Sequence, residues 1–184
     1  MKELTDYSGE FDPNIKYEDF SKGFLLGLLN AYSEYLLRVD GFWYLTVKER
    51  MGDEEAFACD MKVWEKAQIY ELETTCKLFK IQGNDVATLM KGLQMSPWMW
   101  IYKFNMELEN PNHGILTITH CPTLVALERE GQGREHKICQ MLEPKLFRLI
   151  ADFFNPEIEV KALKLPPRKS QDEIACQWEF WIEE

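Results

Sequence analysis

The sequence predicts an α+β fold in which N-terminal helices pack on a mainly antiparallel sheet of about four strands. In the first half of the chain, apolar residues recur every three or four positions, which is the period of a helix. After Pro97 the period becomes two, which is the period of a strand with one buried face. Because helices precede the strand pairs, the helices are expected to cover one face of an antiparallel sheet.

The same change of period divides the chain. Residues 1–15 are predicted to be a polar lead-in, and residues 16–184 a single α+β domain. The helical part of this domain spans 16–95, and the strand-helix-strand part spans 96–184.

Four helices are predicted in the helical part, at residues 16–38, 42–51, 53–80 and 85–94. Asp40-Gly41 is expected to end the first of them, because glycine readily adopts the positive φ found after many helix C-termini. Asp53 is expected to cap the long third helix through its side chain.

The second half opens with the clearest strand, whose aromatic and apolar residues alternate with polar ones. A turn at 110–114 leads to a partner strand at 115–121. Two helices and two closing strands are then predicted, at 122–130, 143–154, 157–165 and 173–183.

The amino-acid composition argues against several classes of binding partner. The chain of 184 residues carries 31 acidic and 21 basic side chains, a net charge of -10. This balance argues against nucleic acid and against an anionic membrane surface as partners. No apolar run of about 18 residues predicts a membrane span, and no signal-like core begins the sequence. A cytoplasmic protein is expected, with its five cysteines as free thiols or metal ligands.

Three cysteines, Cys121, Cys139 and Cys176, are candidate metal ligands. Zinc or iron would suit thiolate ligands, with nearby imidazole or carboxylate donors completing the site. Their wide spacing is unlike that of short paired-cysteine zinc motifs, so the fold would have to bring them together. The alternative is that they pack in the core as small hydrophobic side chains.

A cysteine could also serve as a nucleophile. Cys139 and His136 are separated by three positions and would share one face of a helix. A histidine beside a thiol can accept its proton and activate it. The alternative is that both side chains are solvated in a polar segment.

An aromatic face is the second candidate site. Trp100, Tyr102, Phe104 and Trp178 are predicted to lie on the sheet and to line a cavity for a small apolar or planar ligand. The alternative is that this face is filled by the covering helices. An aromatic strand at the sheet edge would also suit a homodimer.

Several short stretches carry a family resemblance. They are Asp40-Gly41-Phe42-Trp43-Tyr44, Val63-Trp64-Glu65, Cys121 with Gly131, Glu135 and Cys139, and Cys176-Gln177-Trp178-Glu179-Phe180. The chain resembles a bacterial and archaeal family that is distantly similar to L-2-amino-thiazoline-4-carboxylic acid hydrolase domains. It is also similar to the 4-vinyl reductase domain, which implies the ligand-binding fold shared with TRAPP-complex subunits and nitric-oxide-signalling domains.

The resemblance implies two functions. One is a domain that binds a small molecule or a metal in an internal pocket. The other is a small hydrolase acting on a cyclic C–N or C–S substrate, and Cys121, Cys139 and Cys176 would then be the positions that carry the activity. The segment 166–173 lacks the second cysteine that vinyl reductase domains often have there.

Overall fold

A computed structural model describes residues 3–183 of the chain. Its helical part begins with a long hairpin of two helices, α1 (Lys22–Met51) and α2 (Asp53–Phe79). Gly52 joins them with φ of 92°, a conformation that glycine adopts without strain. Gly52 is also the N-cap residue of α2, so the predicted cap by Asp53 is wrong, and the Asp53 carboxylate instead accepts a hydrogen bond from the Tyr44 hydroxyl at 3.1 Å. A short helix, α3 (Val86–Gln94), follows and is capped by the Asp85 side chain.

The predicted helix end at Asp40-Gly41 is wrong, because α1 continues through both residues to Met51. Asp40 does not cap the helix. Its carboxylate instead accepts a hydrogen bond from Nε1 of Trp64 on α2, at 3.1 Å. Gly41 has no positive φ. The pair therefore belongs to the packed side of α1, and the predicted helices at 16–38 and 42–51 are one element.

The sheet has the strand order β1-β2-β4-β3, and every neighbouring pair is antiparallel. The strands are β1 (Lys103–Asn110), β2 (His113–His120), β3 (Glu159–Lys164) and β4 (Cys176–Trp181). An α+β fold with a four-stranded antiparallel sheet is thus confirmed.

Three helical segments connect β2 to β3. They are α4 (Pro122–Glu130), α5 (Arg134–Lys137) and α6 (Glu143–Phe154). Between α5 and α6, residues Ile138–Leu142 form a π-helical turn. Such turns insert an extra residue per turn and occur often at functional sites.

The main core lies between the helices and one face of the sheet. Trp178 and Phe180 on β4 are almost fully buried, and both contact Phe147 on α6, with ring centroids 4.2 and 5.9 Å apart. Leu116 and Ile118 on β2 extend this buried face. The period of two in the sequence therefore marks the face that the helices cover.

The opposite face of the sheet is polar. There, the His113 ring lies between the carboxylates of Glu109, at 2.7 Å, and Glu179, at 3.0 Å. Hydrogen bonds to Glu179 and Glu109 raise the pKa of His113. Edge strand β1 exposes Lys103, Asn105 and other polar side chains rather than its aromatic ones. Charged edges of this kind resist strand-to-strand association.

Among residues 3–183, no helix combines the length and the apolar character that crossing a membrane requires.

Candidate functional site

A cavity of about 1,220 Å³ lies between the α1–α2 hairpin, the α4–α6 segments and the covered face of the sheet. Its walls come from distant parts of the chain, including Asp40 on α1, Asp60 on α2, Cys121 before α4, Glu143 on α6 and Trp178 on β4. The order of elements in the fold thus brings together side chains that are far apart in sequence.

All three cysteines predicted as site residues line this cavity. Cys121 is the N-cap residue of α4, and its sulfur accepts a hydrogen bond from the Leu124 amide at 3.4 Å. Cys139 lies in the π-helical turn, and Cys176 begins β4. Backbone pairing of Ile118 with Cys176 brings the end of β2, and with it Cys121, towards β4.

The environment of these thiols opposes their ionisation. Burial, together with the nearby Glu143 carboxyl, raises the pKa of Cys121 to about 11. The same two causes raise the pKa of Cys139. Burial also raises the pKa of Cys176, although the Trp178 indole acts in the opposite direction. The three sulfurs are therefore neutral thiols at pH 7.

The thiols converge without forming a metal centre. Within residues 3–183, no three His, Cys, Asp or Glu side chains are close enough together to hold a metal ion. His120 lines the cavity but is exposed, and His136 is exposed and lies outside it. Among the described residues, His136 makes no hydrogen bond to Cys139. Zinc or iron binding and the Cys139–His136 pair both remain predictions.

Slow alkylation of the three thiols is expected. A thiol with a pKa of about 11 contains roughly 100-fold less thiolate at pH 7.5 than one of pKa 9, and the thiolate is the reacting species. Iodoacetamide should therefore modify Cys121, Cys139 and Cys176 at least about tenfold more slowly than free glutathione. Peptide mass spectrometry after timed labelling measures this. Labelling of Cys139 at the glutathione rate would instead indicate an activated nucleophile.

The predicted aromatic residues divide into two groups. Trp100, Tyr102 and Trp178 line the cavity, whereas Phe104 is not part of its wall and packs against the main core. The predicted place of Trp100 and Tyr102 on the sheet is wrong, because Trp100 ends a 3₁₀ turn and Tyr102 precedes β1. Burial, with the Cys121 and Glu143 charges, raises the pKa of Tyr102, so its hydroxyl stays protonated. Among the described residues, the buried Nε1 of Trp178 makes no hydrogen bond. The covered face of the sheet thus forms part of the core and part of the cavity wall.

Two further tryptophans on the wall were not predicted as site residues. Trp64 on α2 and Trp98, just before β1, meet edge to face with ring centroids 4.9 Å apart. Trp98 belongs to a short 3₁₀ turn, so its direction could not be read from a strand pattern.

Three carboxyl groups that were not predicted to come together also lie on the cavity wall. Asp40, Asp60 and Glu143 all line the cavity. Burial and the Asp40 charge raise the pKa of Asp60 to about 7, and burial and the Asp60 charge raise that of Glu143 to about 7. Asp60 is 3% exposed, and its Oδ1 makes no hydrogen bond among the described residues.

A signal for Asp60 was present in the sequence. Ala56, Phe57 and Trp64 lie three or four positions from it and so share its face of α2. A carboxylate within such an apolar stripe is costly to bury unless it has a partner.

Some of the nearby cations are paired, whereas Arg38, Lys103 and Arg129 also line the cavity and form no ion pair among the described residues. Arg134 bonds Glu130 at 2.7 Å and stacks on the Tyr44 ring at 4.0 Å. Lys48 bonds Glu130 at 3.1 Å, and Lys137 bonds Asp53. Arg134 also lowers the pKa of Asp40 and of Asp60, but less than burial raises each. Among the described residues, Asp60 and Glu143 form no ion pair, and the buried Nε of Arg134 makes no hydrogen bond.

Comparison with known proteins gives a family but no activity. The sequence matches a family of unknown function, DUF6125, over residues 18–182. No curated protein and no solved structure matches the chain. Because the match covers nearly all of the sequence, the chain belongs to the DUF6125 family.

Proposed function

We propose that this protein binds a small organic cation, with a planar or apolar body and an amine-like charged end, in the cavity beside Asp60 and Glu143. The observation that carries the proposal is Asp60, a buried carboxyl that lines the cavity and has no partner for Oδ1. Unsatisfied buried polar atoms are rare in folded proteins, and one beside a cavity is explained by an ordered water, an ion or a ligand group.

A bound cation would stabilise the ionised forms of the Asp60 and Glu143 carboxyls. Each of the two carboxyls holds its proton up to about pH 7, because burial and a neighbouring carboxyl charge disfavour the ionised form. A bound ammonium group would favour the ionised form and form charge-assisted hydrogen bonds. Binding is therefore expected to release a proton near pH 7.

The remaining walls suit the body of such a ligand. Trp64 and Trp98 provide flat apolar surfaces, and aromatic faces also attract cations. Pockets for small organic ligands usually have volumes of about 300–1,000 Å³, so a cavity of about 1,220 Å³ is large enough.

Three indole compounds of similar size test the charge requirement. Tryptamine is cationic, 3-ethylindole is neutral and indole-3-propionate is anionic. Calorimetric titration at pH 8 is expected to show tryptamine binding at least about tenfold more tightly than either of the others. Asp60→Asn should remove this preference and leave 3-ethylindole unaffected. Equal affinity for all three compounds, or an unchanged preference in Asp60→Asn, would contradict the proposal.

Asp152→Asn is the matched control variant. Asp152 is an exposed aspartate on α6 that pairs with Arg148 at 2.7 Å, away from the cavity. The Asp152→Asn variant removes the same charge as Asp60→Asn but lies outside the cavity, so this variant should bind tryptamine like the wild type. A similar loss in both variants would indicate an effect of net charge rather than of the cavity.

A soft metal ion is the second candidate occupant, supported by the convergence of Cys121, Cys139 and Cys176 on one cavity. Ligation would require the thiols to ionise and to move together. Elemental analysis of protein purified without oxygen tests this, with Cys121→Ser, Cys139→Ser and Cys176→Ser as controls. Stoichiometric zinc or iron that is lost in these variants would favour the metal.

The hydrolase alternative receives less support. Cleavage of a cyclic C–N or C–S bond by a cysteine needs a thiolate, and burial raises the pKa of all three cavity thiols. The likenesses to thiazoline carboxylate hydrolases and to vinyl reductase domains rest on the short motifs alone. The ligand-binding fold that the second likeness implies agrees with a binding role.

A further inference from the structure

An apolar face of α1 points away from the rest of the protein. Seven large side chains on or beside this outer face are between 37% and 67% exposed: Leu29, Tyr32, Tyr35, Leu36, Val39, Phe42 and Trp43. Of these, Phe42 lies at the margin of the face and also borders the cavity. The inner face, which meets α2 and the cavity, carries Ser33, Asp40, Gly41 and Tyr44. Because the inner side also carries apolar residues such as Leu37 and Tyr44, α1 is apolar on both sides, which is usual for a helix that is covered on both sides.

The spacing on the outer face is that of a helix-pairing seam. Leu25, Leu29, Tyr32, Leu36, Val39 and Trp43 follow each other at alternating steps of four and three. This alternation keeps side chains in contact with a second helix that crosses at a small angle. Within residues 3–183, α1 packs in this manner on no other helix, because α2 lies on its inner side.

Charge is absent from this face. Between Lys22 and Lys48, the charged residues of α1 are Glu34, Arg38 and Asp40, and all three line the cavity on the other side. A partner surface must therefore be apolar as well, because a charged one would be desolvated without compensation.

The exposed area is sufficient for a stable dimer. The seven side chains are about half exposed on average, which corresponds to on the order of 700 Å² at about 200 Å² for each whole side chain. A standard interface buries about 800 Å² on each partner. The N-terminal segment covers little of it, with one contact between the Tyr17 and Tyr32 hydroxyls at 3.3 Å.

We infer that the outer face of α1 pairs with the same face of a second copy of this chain. A second copy presents the same uncharged seam, and a two-fold axis lets identical faces complement each other. The edge strands offer no comparable apolar surface, because β1 and β3 expose mainly charged and polar side chains. This inference is independent of what the cavity binds.

Sedimentation equilibrium of the full chain tests the inference. The wild type is expected to be a dimer at concentrations of about 10 µM, and Leu36→Glu should weaken association at least about 100-fold. Leu78→Glu is the matched control, since Leu78 is a 72% exposed leucine on α2 outside the seam, and it should leave the dimer intact. Far-UV circular dichroism shows whether each variant is folded.

A second seam variant, Val39→Glu, provides the same test if Leu36→Glu does not fold. A monomeric wild type at about 100 µM would overturn the inference, as would a dimer that both seam variants leave unchanged. Wild-type monomers that float with phosphatidylcholine vesicles would also overturn it, and would assign the face to a lipid surface.

Discussion

At pH 8, Asp60→Asn is expected to be more stable than the wild type by about 2–4 kcal/mol. Asparagine has nearly the shape of the protonated aspartate but cannot ionise. Above pH 7 the wild type must hold a buried carboxylate that forms no ion pair among the described residues, and the variant avoids this cost. Most substitutions of buried polar residues destabilise, so a gain identifies a residue kept for another purpose.

The pH dependence of this gain follows from the two pKa values of Asp60. In the unfolded chain its pKa is near 3.8, and in the folded protein it is about 7. Between these values the folded state holds a proton that the unfolded state has released, so wild-type stability falls as pH rises from about 4 to 7. The advantage of Asp60→Asn should therefore grow across this window and level off above it.

Urea unfolding of the wild type and Asp60→Asn from pH 4 to pH 8 measures the difference. Asp152→Asn, which removes an exposed carboxylate, should show no such growth. A constant difference between the wild type and Asp60→Asn, or a variant that is less stable at pH 8, would mean that Asp60 ionises with an ordinary pKa.

Trp178→Ala is expected to lower the free energy of unfolding by about 3–5 kcal/mol, the usual cost of removing a large buried aromatic side chain. Trp178 is 1% exposed and stacks on Phe147 at 4.2 Å. Loss of the indole would leave Phe147 without its main contact on the sheet and would enlarge the cavity.

Two further substitutions separate the causes of this loss. Trp178→Phe keeps a ring against Phe147 and removes the unpartnered Nε1, so it should lose less than half as much stability. Trp100→Ala removes a cavity tryptophan that is 46% exposed and should cost under about 1 kcal/mol. Chemical denaturation measures all three, and a small loss in Trp178→Ala would show that the core is not organised around this residue.

Most of the fold could be predicted from the periodicity of apolar residues in the sequence. The alternation in β4 predicted its buried face correctly because this strand has one covered side. In β1 only Phe104 and Met106 pack against the core, and Leu108 is 50% exposed, because β1 is an edge strand. The predicted helix end at Asp40-Gly41 was wrong because it rested on local sequence alone. Tertiary contacts, such as the hydrogen bond from Trp64 to Asp40, stabilise α1 beyond this point, and the helix continues to Met51. The π-helical turn at Cys139 has no sequence signature of its own.

Only some residues of the candidate site could be predicted from the sequence. Cysteines and tryptophans stand out by type, so Cys121, Cys176 and Trp178 were singled out and do line the cavity. Asp60 and Glu143 look like ordinary helix carboxylates, and their importance depends on burial and on each other's charge. Spacing on α2 indicates that Asp60 is buried, but the effect of one charge on the other joins two helices and cannot be read from spacing within a single helix.

The protonation of Asp60 with and without a bound cation tests the central claim most directly. Carbon-13 NMR of the Asp60 carboxyl, assigned by comparison with Asp60→Asn, gives its pKa in the free protein and at saturating tryptamine. We predict a pKa of about 7 in the free protein and a fall of at least about one unit when the amine binds. A pKa that tryptamine leaves unchanged would contradict the assignment of this cavity to organic cations.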